Sequence, residues 1–318
     1  MVLLSNRCFA AAFAGFVLGA LPLVARADET IFRDGFEFGF QVLTPDIVVA
    51  PGEGATYCYY FHTPNTGTMG IRRWASTMSA GTHHMILYAT FDSNGNPIDF
   101  QPPGTLTQSS CSISSGSNFA SWIYAAHNPN EDLVVPSDDG SGTPLAMEIA
   151  AGQPAFLQMF VLNTGDTPIT TSALLQAEAL APQAAFTRTA AYVTYNTNIS
   201  IGPQANASVQ LTCATPAAAK FWWVSPRTHK FALTSRVINS AATVVVNTDW
   251  EHPAAATFSA PNFLVFSSGL TYGCDYQNPT SATIHTGESE STDETCMGIG
   301  YFFPAAHSAY CINNIGPL

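Results

Sequence analysis

Short runs of β-branched and aromatic residues, cut by turn-forming clusters, fill this sequence from Phe40 onward. Two such clusters are Ser93-Asn94-Gly95-Asn96-Pro97 and Asp138-Asp139-Gly140-Ser141-Gly142, whose residue types favour tight turns. No long helical period of apolar residues occurs, and residues 172–180 fit either a short helix or a strand. Many short strands at this spacing predict an all-β fold of β-sandwiches or barrels.

The predicted strands share alternating or continuous apolar character between turn signals. They are residues 56–62, 82–90, 155–163, 208–213, 220–224, 230–237, 242–247, 262–266, 270–276 and 297–303.

The first 27 residues have the features of a signal peptide. Arg7 precedes a continuous apolar or small run that ends at Ala25-Arg26-Ala27, a small-x-small cleavage site before Asp28. We therefore predict a secreted or periplasmic protein. Residues 28–43 form an acidic and aromatic lead-in, which we assign as a linker or an edge strand.

Charge and cysteine content agree with export. Removing residues 1–27 takes away two of the 10 basic residues and none of the 22 acidic ones. So acidic a chain is not expected to bind nucleic acid, or to bind a membrane after signal cleavage. Cys8 leaves with the signal peptide, and the six remaining cysteines predict three disulfides, with about 15 possible connectivities.

A mature chain of about 290 residues is longer than a usual single sandwich, so we predict two packed domains. Residues 179–191 are rich in alanine and contain Pro182, which makes them the predicted boundary. The predicted domains are residues 44–182 and 183–318.

The adjacent histidines His83 and His84 open an apolar, strand-like run in a chain with only eight histidines. Neighbouring side chains of a strand point to opposite faces, so both rings can bind one metal only if the backbone twists or bulges, or if the ion lies at the end of the strand. By itself the pair is more typical of one buried and one exposed structural histidine.

The order of further motifs gives the pair another meaning. The motifs are Tyr57-Cys58-Tyr59-Tyr60-Phe61, His83-His84-Met85, Leu157-Gln158-Met159, Thr228-His229-Lys230, Trp250-Glu251-His252-Pro253 and Glu294-Thr295-Cys296. This combination resembles the copper type II, ascorbate-dependent monooxygenases, the family of peptidylglycine α-hydroxylating monooxygenase and dopamine β-monooxygenase. The resemblance implies two tandem jelly-roll-like antiparallel β-sandwiches that face each other across a water-filled cleft, each with one copper. It also implies the disulfides Cys58–Cys111, Cys213–Cys311 and Cys274–Cys296.

The family's copper ligands carry over only in part. His83 and His84 match two ligands of the electron-transfer site, and Phe160 stands where the third histidine is expected. His229 matches one ligand of the oxygen site, where Arg227 and Thr295 replace a histidine and a methionine. Three of six ligands are therefore missing.

The losses have different consequences. His83 and His84 can still hold copper, since Phe160 adds no charge. Arg227 brings a permanent cation, and two unit charges about 4 Å apart repel by about 4 kcal/mol at an effective dielectric of 20. Met297 and His127 are candidate compensating ligands, but the oxygen site is predicted to be lost.

Three functions remain open at this point. They are a monooxygenase with altered ligation, a non-catalytic copper-binding protein that uses His83 and His84, and a metal-free module that binds a ligand in the interdomain cleft. The sequence identifies neither a small-molecule or peptide substrate nor an oligomeric state.

Overall fold

The computed structural model describes residues 38–108, 111, 113–287 and 289–317. Within these residues every regular element is a β-strand. The predicted signal peptide and residues 28–37 of the lead-in lie outside them. No helix in the described part of the chain has the length and apolar character needed to cross a membrane.

In the described part of the chain, fourteen strands precede Thr189. They are β1 (Phe38–Leu43), β2 (Ile47–Val49), β3 (Gly54–His62), β4 (Met69–Met78), β5 (Thr82–Phe91), β6 (Leu106–Gln108), β7 (Ser114–Ser115), β8 (Asn118–Ala126), β9 (Asn130–Val134), β10 (Leu145–Ile149), β11 (Pro154–Leu162), β12 (Ile169–Thr171), β13 (Ala173–Ala179) and β14 (Thr187–Arg188).

Eleven strands follow. They are β15 (Ala190–Tyr195), β16 (Ser200–Ile201), β17 (Asn206–Cys213), β18 (Lys220–Thr228), β19 (Ala232–Asn239), β20 (Ala242–Asn247), β21 (Ala256–Thr257), β22 (Leu270–Gln277), β23 (Ile284–His285), β24 (Cys296–Phe303) and β25 (Ala309–Ile312).

The first sandwich packs the sheet β1-β13-β4-β10-β14, with β9 beside β4, on the sheet β6-β3-β11-β5-β8-β7. Its strands pair antiparallel except for β10 and β14. Trp74 of the first sheet stacks on Tyr124 of the second at 6.2 Å between ring centroids, and the Tyr124 hydroxyl lies 2.9 Å from Ser76 Oγ. The aromatic layer between the sheets is the core of this half.

The second sandwich packs β21-β18-β24-β15-β25 on β17-β22-β19-β20. The two sheets approach closely at Gly298, where a Cβ atom would lie 2.8 Å from Leu270 Cδ2. A side chain at this position would therefore push the sheets apart. The predicted all-β fold of two tandem antiparallel sandwiches is confirmed.

All three disulfides implied by the resemblance are formed. Cys58 is bonded to Cys111 in the first sandwich, and the second holds Cys213–Cys311 and Cys274–Cys296. Each second-sandwich bond joins one sheet to the other, because Cys213 and Cys274 lie on β17 and β22 while Cys311 and Cys296 lie on β25 and β24.

The structure decides two alternatives that the sequence left open and corrects one predicted strand. Residues 38–43 of the lead-in form an edge strand, β1 of the first sandwich, as one of the two alternatives had it. Within residues 172–180 the strand alternative is correct, since Ala173–Ala179 form β13. Residues 262–266, predicted as a strand, make only an isolated bridge between Leu264 and Phe221. Their aromatic side chains pack instead, Phe263 on Phe303 and Phe266 on Phe221.

The apolar core of the first sandwich extends across the interface into the second. Val193, Trp222, Ile299 and Tyr301 of the second sandwich belong to the same buried cluster as the aromatic residues of the first, while the rest of the second sandwich has a separate buried cluster of its own. The Tyr301 hydroxyl donates to the carbonyl of Ile123 at 3.0 Å. This part of the interface is therefore packed, whereas the resemblance implies an open water-filled cleft.

Candidate metal centre

A β-bulge at His83 brings the two adjacent histidines together. Opposite β5, the strand β11 pairs Phe160 with His84 and then Val161 with Thr82, so His83 is an extra residue in the ladder. A bulged residue is freed from strict alternation between faces. This is the condition under which neighbouring strand residues can serve one ion.

Both imidazoles meet the carboxylate of Glu290. His83 Nδ1 lies 3.2 Å from Glu290 Oε2, and His84 Nδ1 lies 3.0 Å from Glu290 Oε1. All three side chains are largely buried, with 15%, 7% and 5% of their surfaces exposed. One ligand atom from each lies within 4.8 Å of the other two. The three side chains form a compact set of two nitrogens and one oxygen, called here the His-His-Glu triad.

Glu290 belongs to the second sandwich, on the loop between β23 and β24, whereas both histidines belong to the first. Sequence reasoning missed it, because a single acidic residue in a loop carries no spacing signal. The motif that carries the resemblance in this segment contains Thr295 and Cys296, a few residues further along. The triad is therefore completed across the interface between the sandwiches.

The ligand atoms of the triad lack hydrogen bonds of good geometry. His83 Nδ1, His84 Nδ1 and Glu290 Oε2 are buried without a hydrogen-bond partner among the described residues, although they lie close together. Buried polar atoms of this kind call for an explanation, and an ion is one. Ligands about 2.0–2.2 Å from a tetrahedral metal lie about 3.3–3.6 Å apart, close to the separations observed here. The triad therefore fits a transition metal that accepts nitrogen and oxygen ligands.

Arg227 adds a cation to the same cluster. Its Nη2 lies 3.1 Å from His84 Nε2 and 3.4 Å from Glu290 Oε1, and the guanidinium is buried. Because a guanidinium only donates hydrogen bonds, His84 Nε2 is the acceptor and the proton of the neutral ring resides on Nδ1. Arg227 thus contacts the first predicted site, not only the second, where the sequence placed it.

The charges of the cluster are balanced. Burial and the Arg227 guanidinium lower the pKa of His84 to about 4, so its ring is neutral near pH 7. Burial favours a higher pKa for Glu290, but His84 and Arg227 more than offset it and hold that carboxyl ionised. One guanidinium and one carboxylate therefore compensate each other beside two imidazoles.

Aromatic rings enclose the triad. Phe160 stacks on His84 at 5.7 Å between centroids and meets His83 edge-on at 6.0 Å. Trp250 stacks on His83 at 5.2 Å. His127 stacks on His84 at 5.8 Å, and its Nε2 is buried without a hydrogen-bond partner among the described residues. His127 is thus a neighbour of the triad rather than a member of it.

The residues of the predicted oxygen site lie together near the end of β18. His229 Nδ1 lies 3.2 Å from the carbonyl of Asp293, so Nδ1 donates and Nε2 is the free acceptor. Burial and Arg227 lower the pKa of His229 to about 4. Met297 pairs with Arg227 in the sheet. His229 is not part of the convergent triad.

The carboxylate of Glu294, from the Glu294-Thr295-Cys296 motif, organises the turn that follows β18. It accepts hydrogen bonds from the backbone amides of His229 at 3.1 Å, Phe231 at 2.6 Å and Thr295 at 3.2 Å. The side chain is fully buried. The motif therefore contributes a hydrogen-bond acceptor for backbone amides, not a metal ligand.

A cavity of about 190 Å³ lies between the sandwiches beside the triad. Its apolar walls come from both halves and include Ile86, Trp122, Val193 and Met297. His84, Arg227, His229 and Thr295 line its polar end.

Comparisons with known proteins give only distant structural matches. No family model matches the chain, and no curated protein matches it significantly. Among solved structures, the glycosylasparaginase PNGase F of Flavobacterium meningosepticum aligns over 82% of this chain and 95% of its own, with 9% identity and a TM-score of 0.36. A peptide-N(4)-(N-acetyl-β-D-glucosaminyl) asparagine amidase aligns over 84% and 98%, with 8% identity and a TM-score of 0.36. A triple jelly-roll turret protein of an archaeal virus aligns over 86% and 61%, with 9% identity and a TM-score of 0.20. Likeness at this level carries no inference about function.

Proposed function

We propose that this protein is an exported metal-binding relative of the copper type II monooxygenases that holds one copper ion and has lost the oxygen-activating centre. The observation that carries the proposal is the His-His-Glu triad, in which three largely buried side chains each bring one ligand atom within 4.8 Å of the other two. Two imidazoles and one carboxylate form a donor set that suits Cu²⁺ as well as Zn²⁺ and Fe²⁺, and the resemblance favours copper. Copper supplies one-electron redox chemistry at such a site.

His84 must change its hydrogen bonding to act as a ligand. Its proton moves from Nδ1 to Nε2, which frees the Nδ1 lone pair and ends the bond that Nε2 accepts from Arg227. Arg227 then keeps Glu290 Oε1 as its partner. The Glu290 carboxylate serves the ion through Oε2 and the guanidinium through Oε1. Arg227 therefore lowers the affinity for a cation without excluding it.

The second centre does not fit copper. Arg227 and Thr295 replace two ligands, and among the described residues that line the cavity there Met297 alone carries a thioether. A buried guanidinium next to His229 opposes a second cation. The working monooxygenase is consequently the weaker proposal, because the family chemistry needs both centres.

Export is part of the proposal. The three disulfides require an oxidising compartment during folding, and residues 1–27 have the pattern of a cleaved signal peptide. A secreted or periplasmic location follows from the two features together.

The Arg227–His84 hydrogen bond favours a second candidate, a metal-free binding module. In that case the guanidinium has replaced the ion, satisfying His84 Nε2 and neutralising Glu290. The triad would then be a structural link between the sandwiches.

Copper titration separates the two candidates. Purified metal-free protein is titrated with Cu²⁺ against a competing chelator, with metal analysis and electron paramagnetic resonance to detect nitrogen ligands. We expect one ion per chain, loss of tight binding in His83→Ala, and at least about tenfold weaker binding in Glu290→Gln. Arg227→Met should bind more tightly than the wild type.

The exposed histidine variant His62→Ala, outside both groups of side chains that could hold an ion, is the matched control and should bind as the wild type does. If the wild type binds no ion and Arg227→Met does, the metal-free module is correct. If Glu290→Gln binds as tightly as the wild type, the triad is not the site.

A further inference from the structure

We propose that Glu251 is a positioning residue for the metal site: its carboxylate accepts a hydrogen bond from His83 Nε2 and thereby keeps His83 Nδ1 directed into the triad. Glu251 lies on the loop between β20 and β21 of the second sandwich. The inference rests on the proposed function, because it concerns the same ion, and it adds a residue outside the three ligands.

The bulge leaves the direction of His83 to its neighbours. As the extra residue in the ladder, His83 lacks the orientation that a regular strand imposes. The Trp250 indole stacks on its ring, with 5.2 Å between centroids and 15° between planes. Phe160 meets the ring edge-on at 6.0 Å. These two contacts fix the plane of the imidazole.

The aromatic contacts do not determine which edge of the ring faces the triad. A half-turn about the bond to the ring would keep the stack but replace Nδ1 by a carbon atom. In the structure His83 Nδ1 lies 3.2 Å from Glu290 Oε2, and Nε2 lies 4.0 Å from Glu251 Oε1. Only this orientation brings each ring nitrogen next to a carboxylate. Glu251 therefore selects the edge of His83 that can bind an ion.

Glu251 can complete this contact by a movement of its side chain alone. A separation of 4.0 Å is longer than a hydrogen bond, but the side chain is 52% exposed and free to turn toward the ring. The backbone is held in place, since the Glu251 amide donates to Asp249 Oδ1 at 3.0 Å. A histidine that binds a metal through one nitrogen donates its other ring N–H, very often to a carboxylate, and this partner fixes its tautomer and orientation.

Cobalt binding tests the inference, because Co²⁺ accepts the same donors as copper and gives resolved proton spectra. Affinity for Co²⁺ is measured against a competing chelator, and the loaded proteins are compared by proton NMR. Each ligand histidine keeps an exchangeable proton on its second nitrogen, which the paramagnetic ion shifts out of the ordinary range. We expect one such signal from His83 and one from His84 in the wild type.

Glu251→Ala should lower the affinity for Co²⁺ about tenfold and lose the His83 signal through exchange with solvent. Glu251→Gln keeps an acceptor oxygen, so it should retain the His83 signal and lose less affinity. The His84 signal comes from a buried nitrogen beside Arg227 and should be unchanged in both variants. Because Glu251 is exposed, both variants should fold.

Two further variants serve as controls. Asp99→Ala removes an exposed carboxylate that pairs with another histidine, His62, and should bind Co²⁺ as the wild type does. His252→Ala tests whether Glu251 instead holds an ion at the surface, in the exposed group that it forms with Asp249 and His252. A positioning role predicts unchanged affinity in His252→Ala.

The inference is overturned if Glu251→Ala binds Co²⁺ as tightly as the wild type and retains the His83 signal. It is also overturned if His252→Ala weakens binding as much as Glu251→Ala does. Unchanged binding in Glu251→Ala would leave the proposed function intact, since the ion is still bound. If neither the wild type nor Arg227→Met binds an ion, the proposed function fails and this inference fails with it.

Discussion

His127 lies against His84, and its Nε2 has no hydrogen-bond partner among the residues that the structure describes. Burial, together with the charge of Arg227, lowers the pKa of His127 well below its ordinary value of 6.5. Besides Arg227 and His84, the charged or titratable groups around it are Glu290 and His83. The folded protein therefore keeps this imidazole neutral, whereas the unfolded chain protonates it below about pH 6.5.

Replacing His127 by phenylalanine should stabilise the metal-free protein by about 1 kcal/mol, because the ring stack on His84 is kept and an unsatisfied buried nitrogen is removed. The gain should increase as the pH falls from about 7.5 to about 5, since the unfolded wild type takes up a proton that the variant cannot bind. Urea unfolding at the two pH values measures both effects.

The control for this experiment is His62→Phe, which changes an exposed histidine paired with Asp99. The stability of His62→Phe relative to the wild type should not increase as the pH falls. A destabilised His127→Phe protein would mean that the imidazole nitrogen has a partner.

Residue by residue, the sequence singled out His83, His84, Arg227 and His229, because these residues match an ordered set of motifs, but it placed the two histidines of the pair and the other two residues in separate sites. It did not place Glu290, since a loop carboxylate can only be assigned to a site after the two sandwiches are docked. It also did not show that Arg227 bonds to His84, because this contact joins residues 143 positions apart.

Among the elements, the turn after β18 depends on a single carboxylate. Glu294 holds two backbone amides of that turn, those of His229 and Phe231, together with the amide of the adjacent Thr295, and so fixes the direction of His229 and the end of β18. A glutamine has one acceptor oxygen, and its amino group faces donors instead of acceptors.

Glu294→Gln should therefore destabilise the protein by about 2–3 kcal/mol, through buried amides that lose their acceptor. Chemical denaturation measures the change. Glu251→Gln, at an exposed carboxylate of the loop after β20, is the matched control and should stay within about 0.5 kcal/mol of the wild type. Equal stabilities of the two variants would show that Glu294 does not hold the turn.

The strand β5, with its continuous apolar residues, was predictable as an element, whereas β4, with its mixed polarity, was not. The strand β5 is buried along nearly its whole length, because one face packs in its own sandwich and the other faces the second. Its sequence is correspondingly apolar. The strand β4 carries Arg72 and Arg73 in ion pairs with Glu178 and Asp132, and so lacks a clear pattern. Its pairing with β13 comes from tertiary structure.

For the whole molecule, the shared core predicts that the sandwiches unfold together. Tyr310 of the second sandwich places its hydroxyl between the amide of Trp122 at 2.7 Å and the carbonyl of Ala120 at 2.9 Å. Scanning calorimetry should show one cooperative transition.

Tyr310→Phe should lower the free energy of unfolding by about 1–3 kcal/mol, since it leaves a strand amide of the other sandwich unpaired.

Tyr272→Phe is the matched control, because its hydroxyl donates to Asn313 within the second sandwich at 3.1 Å. Tyr272→Phe should lower the free energy of unfolding by about 1 kcal/mol. This is the typical contribution of one hydrogen bond whose acceptor can find another donor. Two separate calorimetric transitions in the wild type would show that the sandwiches are independent.

The origin of Glu290 in the second sandwich has a consequence for the timing of maturation. His83 and Glu290 are far apart in the chain, so a nascent polypeptide presents two histidines without their carboxylate. If the triad binds an ion as proposed above, an ion met at that stage would be held by an incomplete set of donors and readily released. Only a molecule with both halves folded, its disulfides closed and its halves docked would retain it. Metal loading in this protein would then be the last event of its assembly, and a loaded chain would be a correctly assembled one.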